Sequence, residues 1–203
     1  MMLNQSTINW ILEKDEYYFD WLLNLWSSYI FTDEMILKTK KSVNVHPSLL
    51  PIGRGSDPIV WATRNNEPAG VTLHQISKKV DQGLILFQEE VDYEFPINGK
   101  NLYHKVINRC IEVFHEQWPI LRSNEKDTGL LQEVSIKYIT SKRKDLIDDN
   151  TIDLNKNKIY RELLLQILAH DFGDDYSLKV LYDDKRYSLK INIQEIEQEL
   201  KDE

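Results

Sequence analysis

The sequence of 203 residues is poor in cysteine and contains no long apolar run. Its single cysteine, Cys110, excludes an intrachain disulfide framework and a cysteine-based zinc site, and it fits a reducing cytosol. No uncharged apolar run is long enough to span a bilayer, and the first residues lack the basic region and apolar run of a signal peptide. We therefore expect a cytoplasmic protein without a membrane partner.

Basic residues and glycine are also scarce. The chain has 25 Lys and Arg against 33 Asp and Glu, which gives a net charge of −8 and a pI near 5.2. Proteins that bind nucleic acid normally present a basic face, so this balance disfavours a nucleic-acid partner. The 7 glycines form no glycine-rich phosphate loop, so the sequence gives no support for ATP or a dinucleotide cofactor.

The apolar content, 41% hydrophobic and 10% aromatic residues, is sufficient for a packed core. Helical and strand periodicities alternate in the first part of the chain, which predicts an α/β layer structure. The nearly continuous apolar run 20–28 is typical of a buried strand in a parallel sheet. The other expected strands are 41–46, 69–76 and 83–91, and the expected helices are 8–14, 32–41 with Thr32 as its cap, one that starts after Asp57, and 98–121.

The composition changes after Trp118 and Pro119. Segments 122–129 and 141–150 are charged and nearly free of large apolar residues, so they are predicted to be loop or linker. A helix over 158–173 that ends near Gly173 follows, and then a hairpin over 176–193 with its turn at 183–185. We therefore predict a core in 1–122, a linker in 123–155 and a small α+β unit with a β-hairpin in 156–203.

Asn44 and His46 stand at the end of a predicted strand. Residues two apart in a strand point the same way, and sites form at the carboxyl ends of strands in α/β sheets. An amide can stabilise the oxygen of a carbonyl under attack, and an imidazole can take or give a proton. A carboxylate would be needed to hold the imidazole, and Asp81, in the loop after the next strand, is the candidate.

A structural role is the alternative for each of these residues. Asn-x-His is a weak pattern, and Asn44 could simply hold the turn that follows it. His74 alternates with apolar residues in its strand, which favours a structural role. His104 and His115 lie on the long predicted helix with no acidic or cysteine partner at ligand spacing, so we expect them at the surface. No metal site is predicted.

Three sequence blocks favour a catalytic role over a structural one for Asn44 and His46. They are VNVHPSLLPIGRGSDPIVWA, AGVTLHQI and VDQGLIL. In this order they resemble the signature of the folate-dependent formyltransferases, and the resemblance covers residues 43–90. It implies a Rossmann-like sheet with helices, N10-formyltetrahydrofolate as formyl donor and an amine as acceptor. The residues that match the catalytic positions are Asn44, His46 and Asp81. Those that match the folate site are Ser28, Tyr29, Ile30 and Val80.

The form GRGSDPIVWA, with Trp61 after Asp-Pro, and the short tail after the linker resemble the branch that formylates nucleotide-linked amino sugars. The methionyl-tRNA enzymes form the runner-up within the family, but that branch implies a basic C-terminal barrel that this acidic tail is too short to form. We therefore expect an amino-sugar N-formyltransferase that acts as a homodimer.

Only 43 residues precede Asn44. The resemblance implies a full strand-helix-strand half-sheet there, so we expect a truncated formyltransferase-type sheet. Three alternatives stay open. The sequence is a fragment, it starts at an internal methionine, or it is an inactive homologue that persists as a folded, dimerising remnant. With part of the folate site absent, weak donor binding and self-association through an open sheet edge are expected.

Overall fold

The computed structural model of the protein describes residues 4–25, 27–94, 96–123, 129–133, 140–153, 160–173, 176–182 and 184–194. Its first part contains α1 (Gln5–Leu12), β1 (Phe19–Leu25), α2 (Asp33–Leu37), β2 (Thr39–His46), α3 (Pro58–Asn65), β3 (Ala69–His74), β4 (Ile85–Val91) and α4 (Gly99–Ser123). The second part contains α5 (Arg143–Asp149), β5 (Thr151–Asp153), α6 (Tyr160–Ala169), β6 (Leu178–Tyr182) and β7 (Lys185–Leu189). The predicted α/β class with a small C-terminal α+β unit is confirmed.

The larger sheet has the strand order β1-β2-β3-β4. Strand β1 is parallel to β2, and Asn24 lies opposite Asn44. Strand β3 is antiparallel to β2, with His74 opposite Asn44 and Thr72 opposite His46, and β4 is antiparallel to β3. Because directly opposed residues share a face of the sheet, this register gathers polar side chains from β2 and β3 on one face.

The opposite face of the sheet carries the hydrophobic core. Alternate residues of β2 and β3 point to it, and helix α4 covers it with residues spaced at three and four positions. All of these side chains are fully buried: Val43, Val45, Val71, Leu73, Leu102, Val106, Cys110 and Val113. Burial raises the pKa of the Cys110 thiol to about 12, so it stays protonated and is not a nucleophile at neutral pH.

Strand β1 is less buried than its apolar sequence predicts. Leu23 and Leu25 are 39% and 46% exposed, and Asn24 is the only residue of the strand that is buried. The reason is position: within the described residues, β1 pairs on one side only, with β2. The predicted parallel pairing is confirmed, and the prediction of a buried strand is wrong. Trp26, which belongs to the same apolar run, lies outside the described residues.

Helix α2 is shorter than the predicted helix 32–41. The hydroxyl of Thr32 accepts a hydrogen bond from the Met35 amide at 3.3 Å, which confirms the predicted cap. The helix ends at Leu37 because Thr39 and Lys41 pair with β1 as the first residues of β2. Sheet pairing therefore overrides the helical pattern of the lysine-rich segment.

The C-terminal part forms a second sheet in the order β5-β6-β7. The predicted hairpin is confirmed, with β6 and β7 antiparallel. The segment 141–150, predicted to be a loop, instead contains helix α5, which buries Leu146 in a cluster with Val60 and Ala169. The division of the chain into core, linker and C-terminal unit stays a prediction.

A buried polar network joins α3 to this C-terminal part. Arg64 donates from Nε to both carboxylate oxygens of Asp149, at 3.2 and 3.1 Å, and Nε2 of His170 lies 3.1 Å from the same carboxylate. His170 is fully buried, and the side chains of Arg64 and Asp149 are each 17% exposed. None of the helices within the described part of the chain combines the length and the hydropathy needed to cross a membrane.

Candidate active site

The candidate site lies on the polar face of the larger sheet, opposite α4. Asn44 and His46 are each 6% exposed, and their side chains share this face because they are two residues apart in β2. The loop 47–55 and the loop 75–84 cover them. The pair that the sequence singled out is therefore buried beneath two loops, not exposed at an open strand end.

The loop after β2 places a carbonyl against His46. The Ser48 hydroxyl donates to the Ile52 carbonyl at 2.8 Å, which closes a tight turn. Gly53 follows with φ +67°, and a Cβ at this position would lie 2.9 Å from the Cβ of Ser48. The Gly53 carbonyl lies 2.9 Å from Nε2 of His46, and because a carbonyl only accepts, Nε2 is the protonated nitrogen.

Asp81 reaches the pair from the loop between β3 and β4. Its backbone is left-handed, with φ +52°, and its carboxylate accepts a hydrogen bond from the Gly55 amide at 3.0 Å. The other carboxylate oxygen accepts a long hydrogen bond of 3.4 Å from Nδ2 of Asn44. The distance from Asp81 Oδ2 to Nδ1 of His46 is 3.7 Å, so the two groups are neighbours without a direct hydrogen bond.

His74 is a site residue that the sequence analysis assigned to a structural role. Its Nε2 accepts from Nδ2 of Asn44 at 2.9 Å and lies 3.5 Å from Asp81, while its Nδ1 donates to the Gln75 carbonyl at 2.7 Å. It is 2% exposed. The signal that could have found it is the antiparallel register, which sets it opposite Asn44, and this register is not legible from strand periodicity alone.

Burial and charge act in opposite directions on His46 and Asp81. Burial lowers the pKa of His46 below its ordinary value, and the nearby Asp81 carboxylate and the Gly53 carbonyl only partly oppose this. Burial alone would raise the pKa of Asp81, but His74, His46 and the Gly55 amide together bring it below the ordinary value. At neutral pH the site therefore combines an uncharged imidazole on His46 with an ionised carboxylate.

Arg54 is a second residue that the sequence analysis did not single out. It is 4% exposed, and it donates from Nη2 to the Gln132 side chain at 2.6 Å. Gln132 in turn donates to the backbone carbonyl of Asp81 at 2.9 Å and so holds the Asp81 loop in place. Burial lowers the pKa of Arg54, while the charge of Asp81 acts to raise it.

The predicted folate residues lie at the margin of the site. Because β1 is parallel to β2, the segment with Ser28, Tyr29 and Ile30 leaves the sheet at the same edge at which β2 ends. Ile30 is 71% exposed, and Val80, next to Asp81, is 40% exposed. These side chains are accessible to a ligand, and their role in folate binding stays a prediction. His104 and His115 are exposed on α4, as expected.

The sequence comparison finds a similarity to one family of proteins over the part of the chain that contains Asn44, His46 and Asp81. Residues 25–114 match the formyl transferase family, and this span includes the three site residues and strands β2, β3 and β4, but only the last residue of β1. Through this segment the chain is similar to the formyltransferases, and the resemblance found in the sequence is confirmed.

Particular relatives act on amino sugars. The chain is 36% identical over 103 residues to the GDP-perosamine N-formyltransferase of Brucella melitensis biotype 1, an alignment that covers 50% of this chain and 39% of that protein. The chain spans from about a fifth to about half the length of the curated relatives that it matches, which include methionyl-tRNA formyltransferases.

Solved structures agree on the fold. A sugar N-formyltransferase from a Shewanella species superposes with a TM-score of 0.78 at 22% identity, over 95% of this chain and 76% of that one. The formyltransferase PseJ of Anoxybacillus kamchatkensis, solved with UDP-4,6-dideoxy-4-formamido-L-AltNAc and tetrahydrofolate, superposes with a TM-score of 0.59. It is 29% identical, and the match covers 64% of this chain and 67% of that one.

Proposed function

We propose that this chain transfers a formyl group from N10-formyltetrahydrofolate to the amine of a nucleotide-linked amino sugar. The observation that carries the proposal is the meeting of Asn44, His46 and Asp81 in one buried group, with the carboxylate 3.4 Å from the amide and 3.7 Å from the imidazole. An amide donor, a neutral base and a carboxylate are the groups that acyl transfer to an amine requires.

Asn44 is proposed to polarise the formyl group. When the amine nitrogen attacks the formyl carbon, a C–N bond forms and the carbonyl electrons move onto the oxygen. One Nδ2 hydrogen of Asn44 makes a short hydrogen bond to His74, and within the described part of the chain the other makes a long contact of 3.4 Å to Asp81. This second N–H is the one available to donate to the developing oxyanion, because the hydrogen bond to Asp81 that it would lose is weak.

His46 is proposed to accept the proton that the amine loses, and Asp81 is proposed to stabilise the resulting charge. The amine loses a proton as its bond to the formyl carbon forms, and N10 of the folate gains one as its bond to that carbon breaks. Nδ1 of His46 bears no hydrogen, since Nε2 donates to Gly53, so Nδ1 is the acceptor. The ionised Asp81 stabilises the imidazolium that results, at a distance of 3.7 Å.

The choice of an amino sugar over methionyl-tRNA is supported by charge and by the relatives. A net charge of −8 opposes the binding of a polyanionic tRNA. The names of the Brucella and Anoxybacillus relatives refer to nucleotide-linked sugars. A homodimer in the cytoplasm belongs to the same proposal. The exposed leucines of β1, Leu23 and Leu25, offer a surface for self-association, and sedimentation of the purified chain tests it.

The experiment incubates the chain with N10-formyltetrahydrofolate and UDP-, dTDP- and GDP-linked amino sugars, with formylated product detected by mass spectrometry. We expect formylation of at least one sugar. His46→Gln should lower kcat/KM by roughly 10²–10⁴-fold and Asn44→Ala by about 10²–10³-fold. The matched control is His104→Gln, an exposed histidine on α4, which should retain full activity.

Two results would overturn the proposal. Formylation of initiator methionyl-tRNA without any sugar product would favour the tRNA branch. A folded chain with no transfer to any acceptor would favour the inactive remnant. Wild-type activity in a folded His46→Gln variant would remove the role of His46 while leaving the reaction in place.

A further inference from the structure

We infer that the polar face of the sheet is also a binding site for a divalent transition metal such as Zn²⁺, with Nδ1 of His46, Nε2 of His74 and a carboxylate oxygen of Asp81 as ligands. One ligand atom from each of these three residues lies within 4.8 Å of the other two. Binding at this site does not depend on the proposed enzymatic function.

The tautomers of both histidines are those of metal ligands. His46 donates from Nε2 to the Gly53 carbonyl at 2.9 Å, and His74 donates from Nδ1 to the Gln75 carbonyl at 2.7 Å. In metal sites, a ligating histidine generally donates its other ring N–H to a carbonyl or a carboxylate, which fixes the ring and its free lone pair. Here Nδ1 of His46 lies 3.7 Å from the Asp81 carboxylate, and Nε2 of His74, which accepts from Asn44, lies 3.5 Å from it.

The distance from each imidazole to the carboxylate is also compatible with a metal site. In a tetrahedral zinc site with bonds of about 2.1 Å, neighbouring ligand atoms are separated by about 3.4 Å. Nε2 of His74 lies 3.5 Å from one oxygen of Asp81, and Nδ1 of His46 lies 3.7 Å from the other. Each separation is close to one edge of a metal tetrahedron, and each histidine faces a different oxygen of the same carboxylate.

Asn44 supplies an oxygen for a fourth position. Its Oδ1 is buried and has no hydrogen-bond partner among the residues that the structure describes, which is uncommon for a buried polar atom. Rotation of the amide about its χ2 bond would exchange Nδ2, now 2.9 Å from His74, for this unpaired oxygen. Metal binding would then replace the Asn44–His74 hydrogen bond and give Oδ1 a ligand role, for a set of two nitrogens and two oxygens.

The donor set selects the class of metal. Two imidazole nitrogens with oxygens suit Zn²⁺ and Co²⁺, whereas Mg²⁺ and Ca²⁺ prefer an all-oxygen shell. Asp81 is held in position by the Gly55 amide and by Gln132, so the site needs little rearrangement beyond the Asn44 amide. Because His46, Asp81 and Asn44 are also the groups of the proposed function, bound metal should block formyl transfer; this consequence alone depends on that function.

The test is calorimetric titration of the untagged 203-residue chain with Zn²⁺, together with the visible spectrum of the Co²⁺ form. We expect one metal ion per chain, tetrahedral Co²⁺ bands and no binding of Mg²⁺ at this site. His74→Gln and Asp81→Asn should each weaken Zn²⁺ binding by at least about 100-fold, since loss of outer-shell partners alone costs about 10–100-fold. Circular dichroism and thermal melts establish that each variant is folded, and Asp81→Asn decides if His74→Gln does not fold.

The matched control is the double variant His104→Gln/His115→Gln, which removes the two exposed histidines of α4 and should bind Zn²⁺ as the parent does. Absence of Zn²⁺ binding, unchanged affinity in Asp81→Asn, or loss of binding in the double variant would each overturn the inference. Metal binding by a chain that transfers no formyl group would leave the site standing and count against the proposed function only.

Discussion

Gly53 determines where the His46 ring is held. Its left-handed backbone, φ +67°, turns its carbonyl toward Nε2 of His46, and a Cβ would meet Ser48 at 2.9 Å. The same carbonyl sets the tautomer that leaves Nδ1 free for a proton or a metal ion. The proposed chemistry of His46 therefore depends on the position of a single backbone carbonyl.

The variant Gly53→Ala tests whether the Gly53 carbonyl positions the His46 ring. The left-handed backbone should cost about 1–2 kcal/mol in the free energy of unfolding, and displacement of the carbonyl should lower kcat/KM by an order of magnitude or more. Urea denaturation and steady-state kinetics measure the two effects.

Gly173→Ala is the matched control, because Gly173 has a similar φ of +68° but its added Cβ would meet only the Lys100 amine, at 3.4 Å. It should lose the stability due to the left-handed backbone but not that due to a clash with Ser48, and it should keep full activity. Equal loss of activity in both variants would mean that the backbone strain, not the Gly53 carbonyl, is responsible.

At the scale of elements, the network of Arg64, Asp149 and His170 fastens α5 and α6 to α3. Burial acts to raise the pKa of Asp149, but the hydrogen bond from His170 and the charge of Arg64 outweigh it and lower the pKa below its ordinary value. A lowered pKa in the folded state means that the carboxylate stabilises the fold above its unfolded pKa of about 3.9, and that this contribution is lost as the pH falls through the lower value.

Asp149→Asn should therefore lower the free energy of unfolding by roughly 3 kcal/mol at pH 7, since it leaves Arg64 without its carboxylate in a mostly buried place. The difference from the parent should narrow as the pH falls below about 4, because the unfolded parent is protonated there while the folded carboxylate keeps its charge until the pH reaches its lower pKa. Urea denaturation at several pH values is the measurement.

The comparison variant is Asp20→Asn. Its ion pair with Lys40 is 2.8 Å long, but the two side chains are 78% and 59% exposed, so its removal should change little. An Asp149→Asn variant as stable as Asp20→Asn at neutral pH would contradict the view that the network joins the two parts.

At the scale of the whole molecule, we expect the net charge to favour one of the two proposed acceptors over the other. With a net charge of −8, the chain should not retain initiator methionyl-tRNA on a filter at physiological salt, and it should bind a nucleotide-linked amino sugar in calorimetry. Retention of the tRNA with a steep loss on added salt would reverse the order of the two branches. Retention that does not respond to salt would point to contacts other than phosphate neutralisation, and it would equally count against the sugar assignment.

The sequence by itself determined the features that depend on local periodicity and on short motifs. The apolar spacing along α4, the cap at Thr32 and the hairpin of β6 and β7 follow from rules that act over a few residues. The formyltransferase resemblance and the pair of Asn44 and His46 were also legible, because both lie in contiguous blocks of sequence.

The tertiary structure alone decided which distant residues meet. His74 looked structural because its strand alternates, but the antiparallel register with β2 sets it against Asn44, and that register depends on contacts between segments 30 residues apart. Strand β1 is exposed in spite of its apolar sequence because it pairs on one side only within the described residues. Segment 141–150 is charged, yet it contains a helix because the Leu146 side chain is buried against Val60. In each case the deciding free energy comes from packing between distant segments, which no local pattern records.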